Sequence, residues 1–139
     1  MILKVKKLHD NAILPKKALS GDAAFDLFAV EDGFVNPLSV RSIPIGIATE
    51  FPPEFYGDIR TRSSLAKKGI VSLGGVVDSG YRGEWGVILY NSTGSTFNYK
   101  AGDRIAQVLF LRVPAAEVNQ VAELAESVRG EGGYGSTGR

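Results

Sequence analysis

No long helical pattern is available to this chain, because its apolar residues come in short runs, each broken by a Gly, Asp, Asn or Pro turn signal. Runs at residues 2–7, 25–30, 39–50, 55–61, 70–73, 85–91, 105–112 and 120–123 carry many β-branched and aromatic side chains and are expected strands. Between them stand Ser20-Gly21-Asp22, Glu31-Asp32-Gly33, Pro52-Pro53, Asp78-Ser79-Gly80, Asn91-Ser92-Thr93-Gly94 and Ala101-Gly102-Asp103. These residue types favour turns through free φ, fixed φ or side-chain bonds to the local backbone. Only Ser63-Ser-Leu-Ala-Lys-Lys-Gly69 reads as a helix, with hydroxyl caps at its start and glycine at its end. Many short strands with closely spaced turns favour a sandwich, jelly roll or small barrel. The 139 residues show no repeat and no linker. The expectation is one all-β domain over residues 1–128, followed by a flexible Gly-rich arm over 129–139.

Composition narrows the chemistry. Lys+Arg of 16 against Asp+Glu of 15 leaves the net charge near zero, so positive charge acts locally and no general affinity for nucleic acid or anionic membrane is implied. Cysteine is absent, which removes disulfides, thiol nucleophiles and zinc ribbons. His9 is the single histidine, so a multi-histidine metal site is excluded and catalysis falls to a carboxylate. A metal here would be oxygen-liganded and magnesium-like, sharing phosphate oxygens of a ligand. No apolar run approaches membrane-spanning length, and Met1-Ile-Leu-Lys-Val-Lys-Lys7 lacks a signal-peptide apolar core, so the expected location is the cytoplasm.

Five segments carry the candidate chemistry. Of the last eleven residues, 129–139, five are glycine, and with them come two arginines, Tyr134 and the Ser136-Thr137 pair. Such a segment is either a solvated terminus or a wrapper for a polyanion, using freed N–H groups, hydroxyls and guanidinium groups. Asp78-Ser-Gly-Tyr-Arg-Gly-Glu84 is a tight turn on its own. Yet an aspartate held beside an aromatic at a hairpin mouth is also placed to act as a general base. Thr61-Arg-Ser-Ser-Leu-Ala66 offers a helix start with an arginine and two hydroxyls, read equally as a cap or as a phosphate seat. Gly21-Asp-Ala-Ala-Phe-Asp26-Leu27 and Gly102-Asp-Arg-Ile-Ala-Gln107, taken singly, read as strand entries. The G-x-G-x-x-G spacing of residues 130–135 is spurious as a dinucleotide fingerprint, because only four residues follow it and no helix fits there.

Together and in this order, the five segments resemble the five motifs of the homotrimeric dUTPase family. Asp22-Ala-Ala-Phe-Asp-Leu27, Arg62-Ser-Ser-Leu-Ala66, Gly75-Val-Val-Asp-Ser-Gly-Tyr-Arg-Gly83, Gly102-Asp-Arg-Ile-Ala-Gln107 and residues 129–138 correspond to motifs one to five. The resemblance implies a jelly-roll-like, distorted-barrel β-domain, a homotrimer with active sites at subunit interfaces, and Mg²⁺-assisted hydrolysis of dUTP to dUMP and pyrophosphate. That reaction removes dUTP from the nucleotide pool and supplies dUMP for thymidylate synthesis. In that frame Asp78 is the general base for attack on the α-phosphorus. Tyr81 underlies the deoxyribose, and Ser72 and Gly74 belong to the hairpin that receives uracil. Arg62, Ser63, Ser64 and Gln107 hold the triphosphate, and Asp26 reaches the Mg²⁺ through its coordinated water. Arg129, Gly135, Ser136 and Thr137 close over the phosphates while Tyr134 stacks on the base. The chain departs from the usual pattern at Ala24, Thr61, Gly80 and Tyr134, where Gly, Pro, an acidic residue and Phe are frequent. Trp85 stands where an aliphatic residue is common and is expected in the core or at subunit packing.

Two further readings use the same fold. A dCTP deaminase would need an acid–base group at the cytosine amino position, whereas this chain carries the aspartate-then-tyrosine hairpin and the Gly-rich fifth motif of the hydrolases. A non-catalytic, nucleotide-gated regulatory trimer would have no need of Asp78, Tyr81 and the arm together.

Overall fold

A computed structural model of the chain describes residues 1–133. Strands β1 (Lys4–Lys7), β2 (Phe25–Phe28), β3 (Gly33–Val35), β4 (Ser39–Pro44), β5 (Ile47–Glu50) and β6 (Phe55–Arg60) precede helix α1 (Ser63–Ala66). After it come β7 (Ile70–Ser72), β8 (Val76–Val77), β9 (Gly86–Asn91), β10 (Phe97–Tyr99) and β11 (Arg104–Arg112). They form a four-stranded sheet, β2-β11-β6-β8, a three-stranded sheet, β4-β9-β7, and two ribbons, β1-β5 and β3-β10. Every pairing is antiparallel. The architecture is jelly-roll-like, as expected, but its sheets are open and form no closed barrel among the described residues. No helix among the described residues is long and apolar enough to cross a membrane.

Alternation builds the core. In β9, Val87, Leu89 and Asn91 point inward while Gly86 and Ile88 stay exposed. Val87 and Leu89 meet Leu27, Ile43, Ile47, Ile70, Trp85, Ile105 and Val108 in one apolar cluster. Asn91 is polar and fully buried, which is tolerated because its amide is fully used. Its Nδ2 donates to the carbonyls of Val35 and Ser95, and its Oδ1 accepts from the N–H and hydroxyl of Thr93. The Asn-Ser-Thr-Gly turn thus ties β9 to β3. Trp85, at 1% exposure, belongs to the core, one of the two placements expected for it.

Several expectations need correction. The run 39–50 is two strands in two sheets. Gly46 turns the chain with φ +70°, where a Cβ would press on Ala12 and Val30, so β4 pairs with β9 and β5 with β1. β3 and β10 were not expected. They pair because Gly33 has no Cβ, which would otherwise collide with the Tyr99 hydroxyl. The expected strand at 120–123 does not form: residues 113–131 carry no helix or strand and are exposed. The hydroxyls of Ser63 and Ser64 do not cap α1 either. Its N-cap is Arg62, extended and without a side-chain cap bond, since a guanidinium has only donors and cannot accept the free helix N–H groups; it donates to Asp26 instead. Gly69, with φ +76°, does close the helical turn, its N–H bonding the Ala66 carbonyl.

Candidate active site

An arginine-centred cleft of about 430 Å³ opens where β2, β11 and α1 meet. Asp26 on β2 lies at its floor, its side chain only 14% exposed. Its Oδ1 accepts from Arg62 Nε at 2.9 Å and its Oδ2 from Arg104 Nη1 at 3.4 Å. Arg62 is therefore aimed by a carboxylate, and its Nη1 reaches Ser64 Oγ and the Arg104 carbonyl. Ser63, Ser64 and Gln107 also line the space. Gln107 donates its amide to the Thr61 carbonyl at 3.1 Å, which fixes its orientation. Two guanidinium groups, two hydroxyls and an amide converging on an open cleft form a seat for phosphate oxygens.

The second cleft, about 490 Å³, lies between the outer face of β4 and β9 and the segment from Gly75 to Glu84. Asp78 and Tyr81 both line it. The turn is held rigid from three sides. Tyr81 N–H donates to the Asp78 carbonyl at 3.1 Å, and Arg82 Nη1 donates to the carbonyls of Ser79, Tyr81 and Thr49. Glu84 Oε1 accepts from the Gly46 N–H at 2.9 Å. Tyr81 folds back so that its hydroxyl donates to the Glu84 carbonyl at 3.0 Å, and a Cβ on Gly83 would strike the phenol ring. Asp78 is exposed and its carboxylate has no partner among the described residues. A partnerless carboxylate on a clamped turn beside an aromatic ring is the candidate general base of this cleft.

The predicted residues therefore fall into two groups. Asp26, Arg62, Ser63, Ser64 and Gln107 share one cleft; Asp78 and Tyr81 share the other, and the two have no lining residue in common. Ser72 and Gly74 line neither: Ser72 ends β7 and bonds Thr61, and Gly74 sits on the crossing from β7 to β8. Arg129 is exposed and its Nε donates to the Gly132 carbonyl. Tyr134, Gly135, Ser136 and Thr137 lie outside the described residues.

Sequence reasoning missed Arg104, Glu84 and Thr61. Strict alternation puts Arg104 and Gln107 on opposite faces of β11. A bulge between Arg104 and Ala106 shifts the phase and brings both into one cleft. Its only sequence signal is the adjacent pair Ile105-Ala106, both buried. The ionisable groups with shifted affinity for protons lie outside both clefts: the hydrogen bond from Lys100 holds Asp32 below the usual carboxylate value, that from Lys4 does the same for Glu50, and burial pushes the Tyr99 phenol up. These are structural groups.

Fold and clefts define an all-β domain with one arginine-lined corner and one carboxylate left without a partner among the described residues. The family model of dUTPase matches residues 10–138. The chain belongs to the dUTPase family. It is 45% identical, over 99% of its length and 97% of the relative's, to the deoxyuridine 5'-triphosphate nucleotidohydrolase of Gloeothece citriformis. The enzyme of the same designation from Paramecium bursaria Chlorella virus 1 is 44% identical over 98% of this chain and 97% of its own. Among solved structures, Staphylococcus bacteriophage 80alpha dUTPase with dUPNHPP superposes with a TM-score of 0.93 at 27% identity, covering 99% of each chain. A mutant dUTPase from phage phi11 of S. aureus, solved for the coordination of a structural Mg(II) ion, shares the fold with a TM-score of 0.83 at 24% identity, covering 91% of this chain and 100% of its own.

Proposed function

We propose that this chain hydrolyses dUTP to dUMP and pyrophosphate, as a homotrimer whose active sites lie between copies. The observation that carries the reading is the partnerless Asp78 carboxylate on its clamped turn, beside Tyr81 and within a domain that also offers the Arg62 cleft. Asp78 takes a proton from water as the water oxygen bonds to the α-phosphorus. The bond from that phosphorus to the bridging oxygen breaks, and pyrophosphate leaves. Tyr81 packs under the deoxyribose, where a 2′-hydroxyl finds no room. Gly74, exposed and with a backbone that has no partner among the described residues, receives uracil together with Ser72. Arg62, Ser63, Ser64 and Gln107 hold the phosphates. Arg129, Gly135, Ser136 and Thr137 close over them, and Tyr134 stacks on the base.

Mg²⁺ fits only as a cation carried on the triphosphate. No group of three or more His, Asp or Glu among the described residues is arranged to cage a metal. Asp26 engages both its oxygens with arginines yet keeps lone pairs for a metal-bound water. When bound, the ion neutralises charge on the phosphate oxygens. Two features support sites shared between copies. One copy holds its phosphate seat and its carboxylate in separate clefts. The segment at 113–131 leaves Val118, Val121, Leu124 and Val128 exposed, available to cross onto a neighbour.

Pyrophosphate release, measured across the four canonical dNTPs, dUTP and UTP with and without Mg²⁺, tests the reading. Release from dUTP alone, and only with Mg²⁺, is expected. Ammonia release from dCTP at a rival rate would assign a deaminase instead.

A further inference from the structure

Thr61 does two jobs with two different atoms. Its carbonyl accepts the side-chain amide of Gln107 at 3.1 Å, on the phosphate side. Its hydroxyl oxygen accepts the Ser72 backbone N–H at 2.7 Å and lies 3.0 Å from Ser72 Oγ. Ser72 ends β7 in the three-stranded sheet, and Val76 begins β8 in the four-stranded sheet. The residues between them cross from one sheet to the other outside any strand; the Leu73 N–H donates to the Ile88 carbonyl of β9 at 2.9 Å, and two further contacts fix the path. At the far end the Ile59 N–H donates to the Gly75 carbonyl at 2.8 Å, where a Cβ would run into the Ile59 backbone. At the near end the anchor is Thr61. Between the two anchors lies exposed Gly74, at φ +61°, where a Cβ would meet only the Ile88 side chain at 4.0 Å, and its peptide groups are unpartnered among the described residues.

We propose that Thr61 is a positioning residue which locks the Ser72–Gly75 crossing to the end of β6, and so sets the backbone of Gly74 at a fixed offset from the phosphate seat. The inference rests on the dUTPase reading. It concerns specificity: a base read by backbone groups is discriminated only as sharply as those groups are held in place. Threonine is suited to this post because its hydroxyl oxygen accepts a backbone N–H while its methyl restricts χ1. Arg62, the next residue, is held independently by Asp26, so loosening the hydroxyl anchor leaves the phosphate seat intact.

The test uses Thr61→Val, which keeps the shape and loses the hydroxyl, and Thr61→Ser, which keeps the hydroxyl. Both are assayed well below their melting temperatures, so that KM reports folded protein. For Thr61→Val the KM for dUTP is expected to rise about tenfold, equivalent to about 1.4 kcal/mol. The preference for dUTP over dCTP should fall by a similar factor, while kcat and the inhibition constant of pyrophosphate stay near wild type. Thr61→Ser restores KM and preference. A lowered melting temperature with KM and base preference unmoved would overturn the proposal, as would a Ser variant that behaves like Val. Failure of the underlying reading looks different, since the unaltered chain itself would then release no pyrophosphate from dUTP.

Discussion

Asp78 and Gly83 show at the residue scale how this chain separates chemistry from support. Asp78 is left without a partner among the described residues, while its neighbours consume their polar groups in clamping the turn. Replacing it with asparagine keeps the shape and removes the base. Turnover of dUTP by Asp78→Asn should fall by about 10²–10⁴-fold, with dUTP affinity by calorimetry near wild type. Near-normal turnover would place the base elsewhere. Gly83 has the opposite role, since its missing Cβ makes room for the Tyr81 ring. Gly83→Ala should displace that ring and weaken rejection of the 2′-hydroxyl. The ratio of kcat/KM for dUTP over UTP is then expected to drop, and an unchanged ratio would mean that Tyr81 does not sense the sugar.

Elements supply the frame that makes these positions hold. β9 pairs with β4 on one side and β7 on the other, and its inward residues Val87 and Leu89 are completely buried. Leu89→Ala leaves a cavity in the middle of the three-stranded sheet and should cost about 2–5 kcal/mol in denaturant unfolding. A cost below that range would show that the sheets collapse around the gap. β11 has the second structural role. Its bulge turns Arg104 toward the same cleft as Gln107, so a regular strand there would present only one of them. The strands were legible wherever β-branched and aromatic residues alternated. β3 and β10 escaped notice because each is three residues long, and their pairing rests on a single glycine–tyrosine fit between residues 66 apart in sequence. The run at 120–123 failed as a strand for the converse reason: local β-propensity finds no partner strand to bond with.

The whole molecule poses the question of where one active site begins and ends. Native mass spectrometry should report three times the 14.9 kDa chain mass. If sites are shared between copies, an Asp78→Asn chain and an Arg62→Ala chain, each inactive alone, should complement when co-assembled. About a quarter of wild-type activity is then expected from random mixing into trimers. No recovery would put both residues of a site in one copy. Deleting residues 129–139 should leave the melting temperature near wild type, because the described part of this segment is largely exposed, while kcat/KM for dUTP falls. The sequence by itself determined that the protein is an all-β domain, narrowed the proposed catalyst to a carboxylate, and marked the segments that bear the candidate chemistry. All of that follows from residue type and local order: turn signals, missing Cys, a lone His, and charge held in a few positions. Only the tertiary structure decided that the run 39–50 divides between two sheets, that a bulge unites Arg104 with Gln107, and that Thr61 ties a phosphate-side amide to the crossing that carries Gly74. Those outcomes depend on contacts between distant residues, on the bulge in β11 and on the left-handed turn at Gly46, none of which changes the local pattern from which a sequence is read.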